Sequence, residues 1–414
     1  MEFLVVIPFS KRQSKDELLP LTASRKMGSG VEQKMENGEE LASLLDVLPR
    51  VEFCCVYGSS LLTNSHDKKT MVDYILGVSD PMQWHSENLE MNKDHYASWM
   101  VHLGGSKLIT EVADEIGVGV HFNPFVSWND RMIKYGVVRM HDLVQDILNW
   151  ERFYFSGRLQ KPVHILVDNL DIRNVNSVNL KAAMSAALLL LPPKFTEVEL
   201  YARICSLSYM GDLRMLFAED RNKVQKIVKG QFNLFHSMYK PFLDDYAAKD
   251  LLRFSSWSDN HGIIIQTGTC IYHIIAYYRS PLRIMIRMVL LPYHSLLKDY
   301  GLSAAGSFVS SLPQTVRTRM GMKLGEKRKL AESGRTINEV VINSREEAAE
   351  CMRKVVRRIV MVSSARQAIA GLLAAGGVNA VRYLARKMVK DWSSFSQDTS
   401  VTCSVIASFF FIGM

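Results

Sequence analysis

The residues best suited to chemistry lie around a small-residue turn early in the chain. Val51–Tyr57 is rich in β-branched and aromatic residues, which predicts a buried strand, and it ends in Gly58-Ser59-Ser60. Glycine permits a tight turn that brings backbone N–H groups close to a phosphate. After a basic loop carrying Lys69, a second predicted strand, Met71–Val78, holds Asp73. A phosphate-binding turn beside a carboxylate could hold a nucleoside triphosphate and Mg²⁺, which takes hard oxygen ligands.

The order of strand, Gly-Ser turn, loop and acid-bearing strand resembles the nucleotidyltransferase superfamily that includes DNA polymerase beta. Those proteins normally carry two acids one residue apart, but the alternate positions here are Met71 and Ile75. Asp168, at the end of a later predicted strand, is our candidate for the second metal-binding carboxylate, with Asp67 as a weaker alternative. The alternative for Asp168 is a solvated turn residue.

Longer motifs, spread from about Leu45 to Trp392, narrow the resemblance to one family. They are Tyr57-Gly58-Ser59, Val72–Val78, Pro81 to Tyr96, Ile133–Val137, Gly157–Val163, Leu207–Met215 and Ser363–Gln367. In this order they resemble the mitochondrial phosphatidate cytidylyltransferases, also known as translocator assembly and maintenance proteins. The resemblance places Trp84 and His85 among the residues of interest without assigning either a step.

The resemblance implies that CTP and phosphatidate give CDP-diacylglycerol and pyrophosphate, with Mg²⁺ as the cofactor, in a step that feeds cardiolipin synthesis. The attacking lipid phosphate is anionic at pH 7, so no strong general base is required. The implied location is the matrix side of the mitochondrial inner membrane, peripherally bound to an anionic lipid surface. A homodimer is allowed, and no nucleic-acid partner is expected.

Roles for individual residues are expected partly from the resemblance and partly from the chemistry of the side chains. The catalytic residues would be Asp73, Ser59 and Lys69, and Mg²⁺ would be bound by Asp73 and Asp168. CTP would contact Tyr57, Gly58, Ser59, Ser60, Lys69 and Lys134. The lipid phosphate would meet Arg158, Arg283 and Arg287. Arg283 and Arg287 are four residues apart and share a helix face, but a solvated edge of an apolar helix is the simpler explanation.

Two other functions stay open. The fold also suits nucleotidyl transfer to a nucleic acid or protein, because acceptor choice cannot be derived from motif spacing. The missing acid pair also fits a non-enzymatic, membrane-associated assembly factor for mitochondrial protein import.

Composition bounds these functions only loosely. The 414 residues carry 50 Lys and Arg against 42 Asp and Glu, a net charge of +8 that suits an anionic partner. The six cysteines show no metal-binding spacing, which predicts buried free thiols in a reducing compartment. No apolar run reaches the roughly 20 residues that a membrane-spanning helix needs, so any membrane contact is expected to be peripheral.

The pattern as a whole predicts an α+β protein. We expect a polymerase-beta-like nucleotidyltransferase domain, a mostly helical second domain that is winged-helix-like by resemblance, and a C-terminal amphipathic helix. The expected boundaries are a disordered or targeting extension at 1–40, the first domain at 41–193, the second at 194–340, a helical membrane-associating region at 341–392 and a variable tail at 393–414.

Five local predictions accompany this division. Pro192-Pro193 ends a buried helix, and Thr196 with Glu199 forms a capping box that starts the next one. His141–Phe155 reads as one amphipathic helix, and the basic run Arg317–Lys329 as a flexible loop able to touch anionic lipid. Val381–Trp392 is a basic amphipathic segment that fits a membrane interface, with core packing as the alternative.

Overall fold

The protein is α+β, as predicted. A computed structural model describes residues 38–58, 71–213, 215, 222–254, 263–266, 301–330 and 336–376. From Leu44 onward these residues belong to one compact unit. The predicted domain boundaries within it remain predictions.

A mixed five-stranded sheet forms the first layer, in the order β3-β4-β2-β1-β5. Its strands are β1 (Phe53–Tyr57), β2 (Val72–Val78), β3 (Val120–Trp128), β4 (Arg131–Arg139) and β5 (His164–Asp168). The β2–β4 pair is parallel and the other neighbours are antiparallel. Side chains alternate between the two faces of a strand, so Asp73 and Lys134 lie on one face of the sheet and Tyr74 and Tyr135 on the other.

Helices cover both faces of this sheet. Those after the second strand are α1 (Pro81–Met91), α2 (Ser98–Leu103) and α3 (Gly105–Glu111). Those after the fourth are α4 (Met140–Asn149), α5 (Ser156–Leu159) and α6 (Ile172–Leu190). The face that carries Asp73 packs on α4, where Leu143 and Ile147 are fully buried against Phe53 and Ile75. The opposite face packs on α1, whose Trp84 meets Tyr135 edge-on.

A larger apolar core joins the remaining helices. They are α7 (Glu197–Leu207), α8 (Lys223–Gly230), α9 (Phe232–Ala248), residues 301–310, α10 (Gln314–Leu324) and α11 (Arg345–Ala375). Two small sheets accompany them, one of β6 (Lys194–Thr196), β7 (Leu252–Phe254) and β8 (Ile263–Gln266), the other of β9 (Glu326–Leu330) and β10 (Thr336–Val340). The Ala-rich helix α6 is buried in this core. The predicted capping box of Thr196 and Glu199 is present at the start of α7.

Two local predictions were wrong. The run Arg317–Lys329 is not a loop, because it forms most of α10 and most of β9, with Val316 and Met320 of α10 fully buried. The predicted helix His141–Phe155 ends at Asn149, since Trp150 adopts a left-handed backbone conformation with φ of +55°. Val381–Trp392 lies outside the described residues.

The described part of the chain also bears on the predictions about cysteines and membrane-spanning helices. Its cysteines, Cys54, Cys55, Cys205 and Cys351, are buried free thiols. None of its helices combines the length and the hydropathy needed to cross a bilayer.

Candidate active site

Asp73 lies at one end of the central strands, directly beside the glycine turn. The antiparallel register pairs Asp73 with Tyr57, the last residue of β1, so Gly58 follows at once. Gly58 has a φ of +101°, and a Cβ atom built there would lie 3.1 Å from Asp73 Oδ2. The turn therefore passes close over the carboxylate in a conformation that favours glycine.

Lys134 flanks the same carboxylate from the other neighbouring strand. It pairs with Asp73 in the parallel β2–β4 ladder, and its Nζ is 4.0 Å from Asp73 Oδ1. The ammonium also lies 4.2 Å from the centroid of the Phe122 ring, a cation–π contact. A Cβ on Gly136 would lie 2.4 Å from that ring, so glycine at 136 makes room for it. Lys134 is thus positioned beside Asp73, and the two side chains are 30% and 27% exposed, respectively.

Arg158 reaches this end of the sheet from α5. Its guanidinium lies 3.7 Å from the Tyr154 ring centroid and 5.3 Å from that of Tyr57, and Nη1 donates to the Tyr154 carbonyl at 2.6 Å. Burial raises the pKa of the Tyr57 hydroxyl, which also hydrogen-bonds to Arg158. Tyr57 therefore connects Arg158 to the strand end that carries Asp73.

The structure does not bring Asp168 to Asp73. Asp168 pairs with Phe53 at the start of β1, whereas Asp73 pairs with Tyr57 at its end, about 13 Å away along the strand. The Asp168 carboxylate instead accepts hydrogen bonds from the backbone N–H groups of Ile172 (2.6 Å) and Arg173 (3.2 Å) at the start of α6. The prediction that Asp168 shares a metal ion with Asp73 is therefore corrected: its carboxylate caps a helix.

Several predicted site residues cannot be located. Ser59, Ser60, Asp67 and Lys69 belong to residues 59–70, and Arg283 and Arg287 to residues 267–300, all outside the described residues. Their proposed roles stay predictions.

Comparison with known proteins identifies the family. The sequence profile of the family "Phosphatidate cytidylyltransferase, mitochondrial" matches residues 41–390. The chain belongs to this family. Relatives of the same name include the human protein, 41% identical over 196 residues, 46% of this chain and 43% of the relative. The zebrafish protein (Danio rerio) is 41% identical over 196 residues, 46% and 57% of the two chains. The rat protein (Rattus norvegicus) is 30% identical over 352 residues, 83% and 91%.

These alignments differ in how much of each relative they cover. The match spans less than two thirds of the human and zebrafish cytidylyltransferases but most of the rat protein. The aligned part of the rat cytidylyltransferase and the family match both extend well beyond the five-stranded sheet.

In this cytidylyltransferase-family chain, a buried carboxylate holds the loop that leads to Arg158. Asp146 of α4 is 2% exposed, and its two oxygens accept five backbone N–H bonds at 2.7–3.2 Å. The donors are Arg152, Phe153, Tyr154, Phe155 and Ser156. Sequence analysis missed Asp146, although a carboxylate next to Ile147 on the apolar face of a predicted helix was an available signal.

The motif around Trp84 and His85 lies on the sheet face opposite Asp73. Asn88 donates to the Tyr96 and Tyr135 hydroxyls, each at 2.8 Å, and the Tyr135 hydroxyl also accepts from Asn123 at 2.7 Å. His85 Nδ1 lies 2.8 Å from the Tyr96 hydroxyl. This buried network fixes Tyr135, the residue next to Lys134, and so supports the active-site strand from behind.

The donor set limits how a metal ion could be held. Among the described residues, no three His, Cys, Asp or Glu side chains gather as a metal site. Asp73 offers a partly exposed carboxylate at the expected place. Mg²⁺ is commonly bound by one or two carboxylates, with substrate phosphates and water completing its shell, so Asp73 fits an ion that arrives with a nucleotide.

Proposed function

We propose that this protein transfers the cytidylyl group of CTP to phosphatidate, forming CDP-diacylglycerol and pyrophosphate. The observation that carries the proposal is the arrangement of Asp73, Gly58 and Lys134 at one sheet end, in a chain that belongs to the cytidylyltransferase family. The proposed fold assignment is a polymerase-beta-like nucleotidyltransferase domain, a winged-helix-like second domain and a C-terminal amphipathic helix.

Each residue has a distinct part in this reaction. The backbone of the turn beginning at Gly58, with Ser59, Ser60 and Lys69, would bind the triphosphate, and Tyr57 would support the turn. Lys134 would neutralise charge on the phosphates as the leaving pyrophosphate forms. Arg158 would bind the lipid phosphate, since guanidinium groups suit bidentate contacts to phosphate. One phosphate oxygen of the lipid forms the new bond to the α-phosphorus as the bond to pyrophosphate breaks.

Asp73 would hold Mg²⁺ against the nucleotide. The ion, when bound, supplies charge stabilisation at the phosphates. Asp73 itself would orient that ion, and the Lys134 ammonium lies 4.0 Å from its carboxylate.

We further propose the inner mitochondrial membrane, on the matrix side, as the place of action, with peripheral binding to anionic lipid. The relatives are named mitochondrial, and the substrate phosphatidate is itself a membrane lipid. The product would feed cardiolipin synthesis. A homodimer is compatible with this proposal and is tested by measuring the molar mass in solution.

An acceptor assay tests the reaction. Purified protein is given Mg²⁺, labelled CTP and phosphatidate in mixed micelles, with matched samples containing ATP in place of CTP or a single-stranded oligonucleotide in place of the lipid. We expect labelled CDP-diacylglycerol only with CTP and phosphatidate. Labelled oligonucleotide would support a nucleotidyltransferase with another acceptor, and no product from folded protein would support a non-enzymatic assembly factor.

A further inference from the structure

Two sequence motifs that sequence analysis left without a joint role meet in the structure. Lys161, in the first motif, donates from Nζ to Ser208 Oγ (2.7 Å) in the second and to the carbonyl of Gly157 (2.5 Å). A Cβ atom on Gly157 would lie 2.6 Å from Ser208 Cβ, so the two segments touch closely. The Gly157–Val163 segment and the end of α7 therefore form one surface.

Tyr209 on that surface holds two ammonium groups. Its ring centroid is 5.0 Å from Lys161 Nζ and 5.5 Å from Lys223 Nζ, both within cation–π range. All three side chains are half-buried. Arg158 belongs to the same turn as Lys161, since the Lys161 N–H donates to the Arg158 carbonyl at 3.1 Å. Arg158 and Lys161 thus lie on one turn, where Arg158 contacts Tyr57 and Lys161, together with Lys223, contacts Tyr209.

We propose that Arg158, Lys161 and Lys223 form the binding site for the phosphate monoester of the lipid acceptor. This inference rests on the proposed function and assigns Lys161 and Lys223 a role in it. A phosphate monoester is close to a dianion at neutral pH, and a guanidinium with two ammonium groups matches its charge and its several acceptor oxygens.

The sheet order indicates why this site suits the acceptor. Asp73 lies on β2, with Lys134 on β4 to one side and Tyr57 on β1 to the other. Lys161 comes three residues before β5, which pairs with the far side of β1. In-line transfer needs an anion on each side of the α-phosphorus, the leaving pyrophosphate and the attacking phosphate. In the sheet order Lys134 lies on one side of Asp73 and Lys161 on the other, which suits two anions on opposite sides of the α-phosphorus.

A cluster of cations could bind either the phosphate of phosphatidate or the phosphates of CTP, so the experiment must distinguish these two ligands. The variants are Lys161→Gln and Lys223→Gln, with Lys240→Gln, an exposed lysine of α9, as the control. We expect each cluster variant to raise the KM for phosphatidate about tenfold while the KM for CTP stays within about twofold, because one charge-assisted contact is lost. A larger rise in the KM for CTP, or weaker inhibition by pyrophosphate, would assign the cluster to the nucleotide and overturn the proposal.

A binding measurement makes the test independent of turnover. Isothermal titration of the full chain with monomeric dihexanoyl phosphatidate is expected to give about tenfold weaker binding in both cluster variants than in wild type and Lys240→Gln. Dihexanoyl phosphatidylcholine, which lacks the monoester, should not bind. Lys223→Gln keeps the Lys161–Ser208 contact, so it remains informative if Lys161→Gln unfolds.

The two proposals fail in different ways. Variant-sensitive binding of phosphatidate by a wild-type protein that makes no product would support this site and contradict the proposed reaction. Normal turnover and unchanged phosphatidate affinity in both folded variants would overturn this site and leave the reaction standing.

Discussion

At the scale of single residues, the chemistry depends on how closely the Gly58 turn approaches Asp73. The carboxylate lies under a backbone with φ of +101°, and Lys134 flanks it at 4.0 Å. A nucleotide bound by the turn would therefore have its phosphates next to both a metal-binding oxygen and a cation. Sequence alone predicted the residue types, because glycine, carboxylate and lysine each have few substitutes in this chemistry.

The Gly58→Ala variant tests the importance of this approach. Its Cβ would crowd Asp73 Oδ2, so we expect kcat to fall about 10- to 100-fold through misplacement of the reacting groups. Gly325→Ala is the matched control, because Gly325 has a φ of +92° but nothing within 4 Å of a built Cβ. Both variants should lose about 1–2 kcal/mol of unfolding free energy from backbone strain. Equal kcat values in the two variants would contradict the account.

At the scale of secondary-structure elements, strand register decides which predicted residues meet. The strands β1, β2 and β5 were expected near their observed positions, since each is a short apolar run bounded by turn residues. The pairing of Asp168 with Phe53 was not foreseeable, because register depends on contacts between strands far apart in the sequence. The end of α4 was also not predicted. Asp146 accepts hydrogen bonds from five backbone N–H groups that follow α4, and these residues therefore do not continue the helix.

Removing the Asp168 carboxylate tests whether this residue caps a helix or binds a metal ion. Asp168→Ala should lower the free energy of unfolding by about 1 kcal/mol, because two N–H groups at the start of α6 lose their acceptor. Its kcat and its Mg²⁺ requirement should stay within about threefold of wild type. Chemical denaturation and a Mg²⁺ titration of activity measure the two quantities, and a strongly raised Mg²⁺ requirement would restore Asp168 as a ligand.

The loop before Arg158 should depend on Asp146. In Asp146→Asn an amide NH₂ can replace an oxygen that accepts N–H bonds, so we expect a loss of about 3 kcal/mol in unfolding free energy. Asp142→Asn, one turn earlier on α4 and in a partly exposed ion pair with Arg139, should change stability by less than about 1 kcal/mol. Urea denaturation compares them, and similar losses in both variants would argue against the loop-holding role.

At the scale of the whole molecule, the sheet separates two kinds of polar group. The Asp73 face leaves Asp73 and Lys134 partly exposed at one end, whereas the opposite face buries histidine, asparagine and tyrosine side chains in a hydrogen-bonded network. The motif Pro81 to Tyr96 stood out in the sequence, but its residues gave no indication of which face they occupy. The structure shows that α1 packs on the face opposite Asp73, so this motif supports the fold.

This buried network should make stability depend on pH. His121 is buried against His85 and Tyr96 of this network. Burial lowers the pKa of His121 to about 4 and lowers that of His85 as well. A histidine with a depressed pKa in the folded state is neutral there, so its stabilisation is complete above the unfolded pKa near 6.5 and is lost as pH falls toward 4. For His121 alone the loss between pH 8 and pH 5 is on the order of 2 kcal/mol.

Denaturation curves at pH 8 and pH 5 measure this effect. His121→Gln should show a smaller pH-dependent loss of stability than wild type, whereas the exposed His102→Gln should show the wild-type loss. A His121→Gln variant whose pH dependence equals that of wild type would show that acid sensitivity arises elsewhere.

The role of Asp73 is the central claim, and pyrophosphate release tests it most directly. Wild type, Asp73→Asn and the control Asp168→Ala are assayed with Mg²⁺, CTP and phosphatidate, and near-ultraviolet circular dichroism verifies that each is folded. We predict release that depends on both substrates in wild type and Asp168→Ala, and a fall of at least about 1,000-fold in Asp73→Asn. Wild-type release by a folded Asp73→Asn variant would contradict the account.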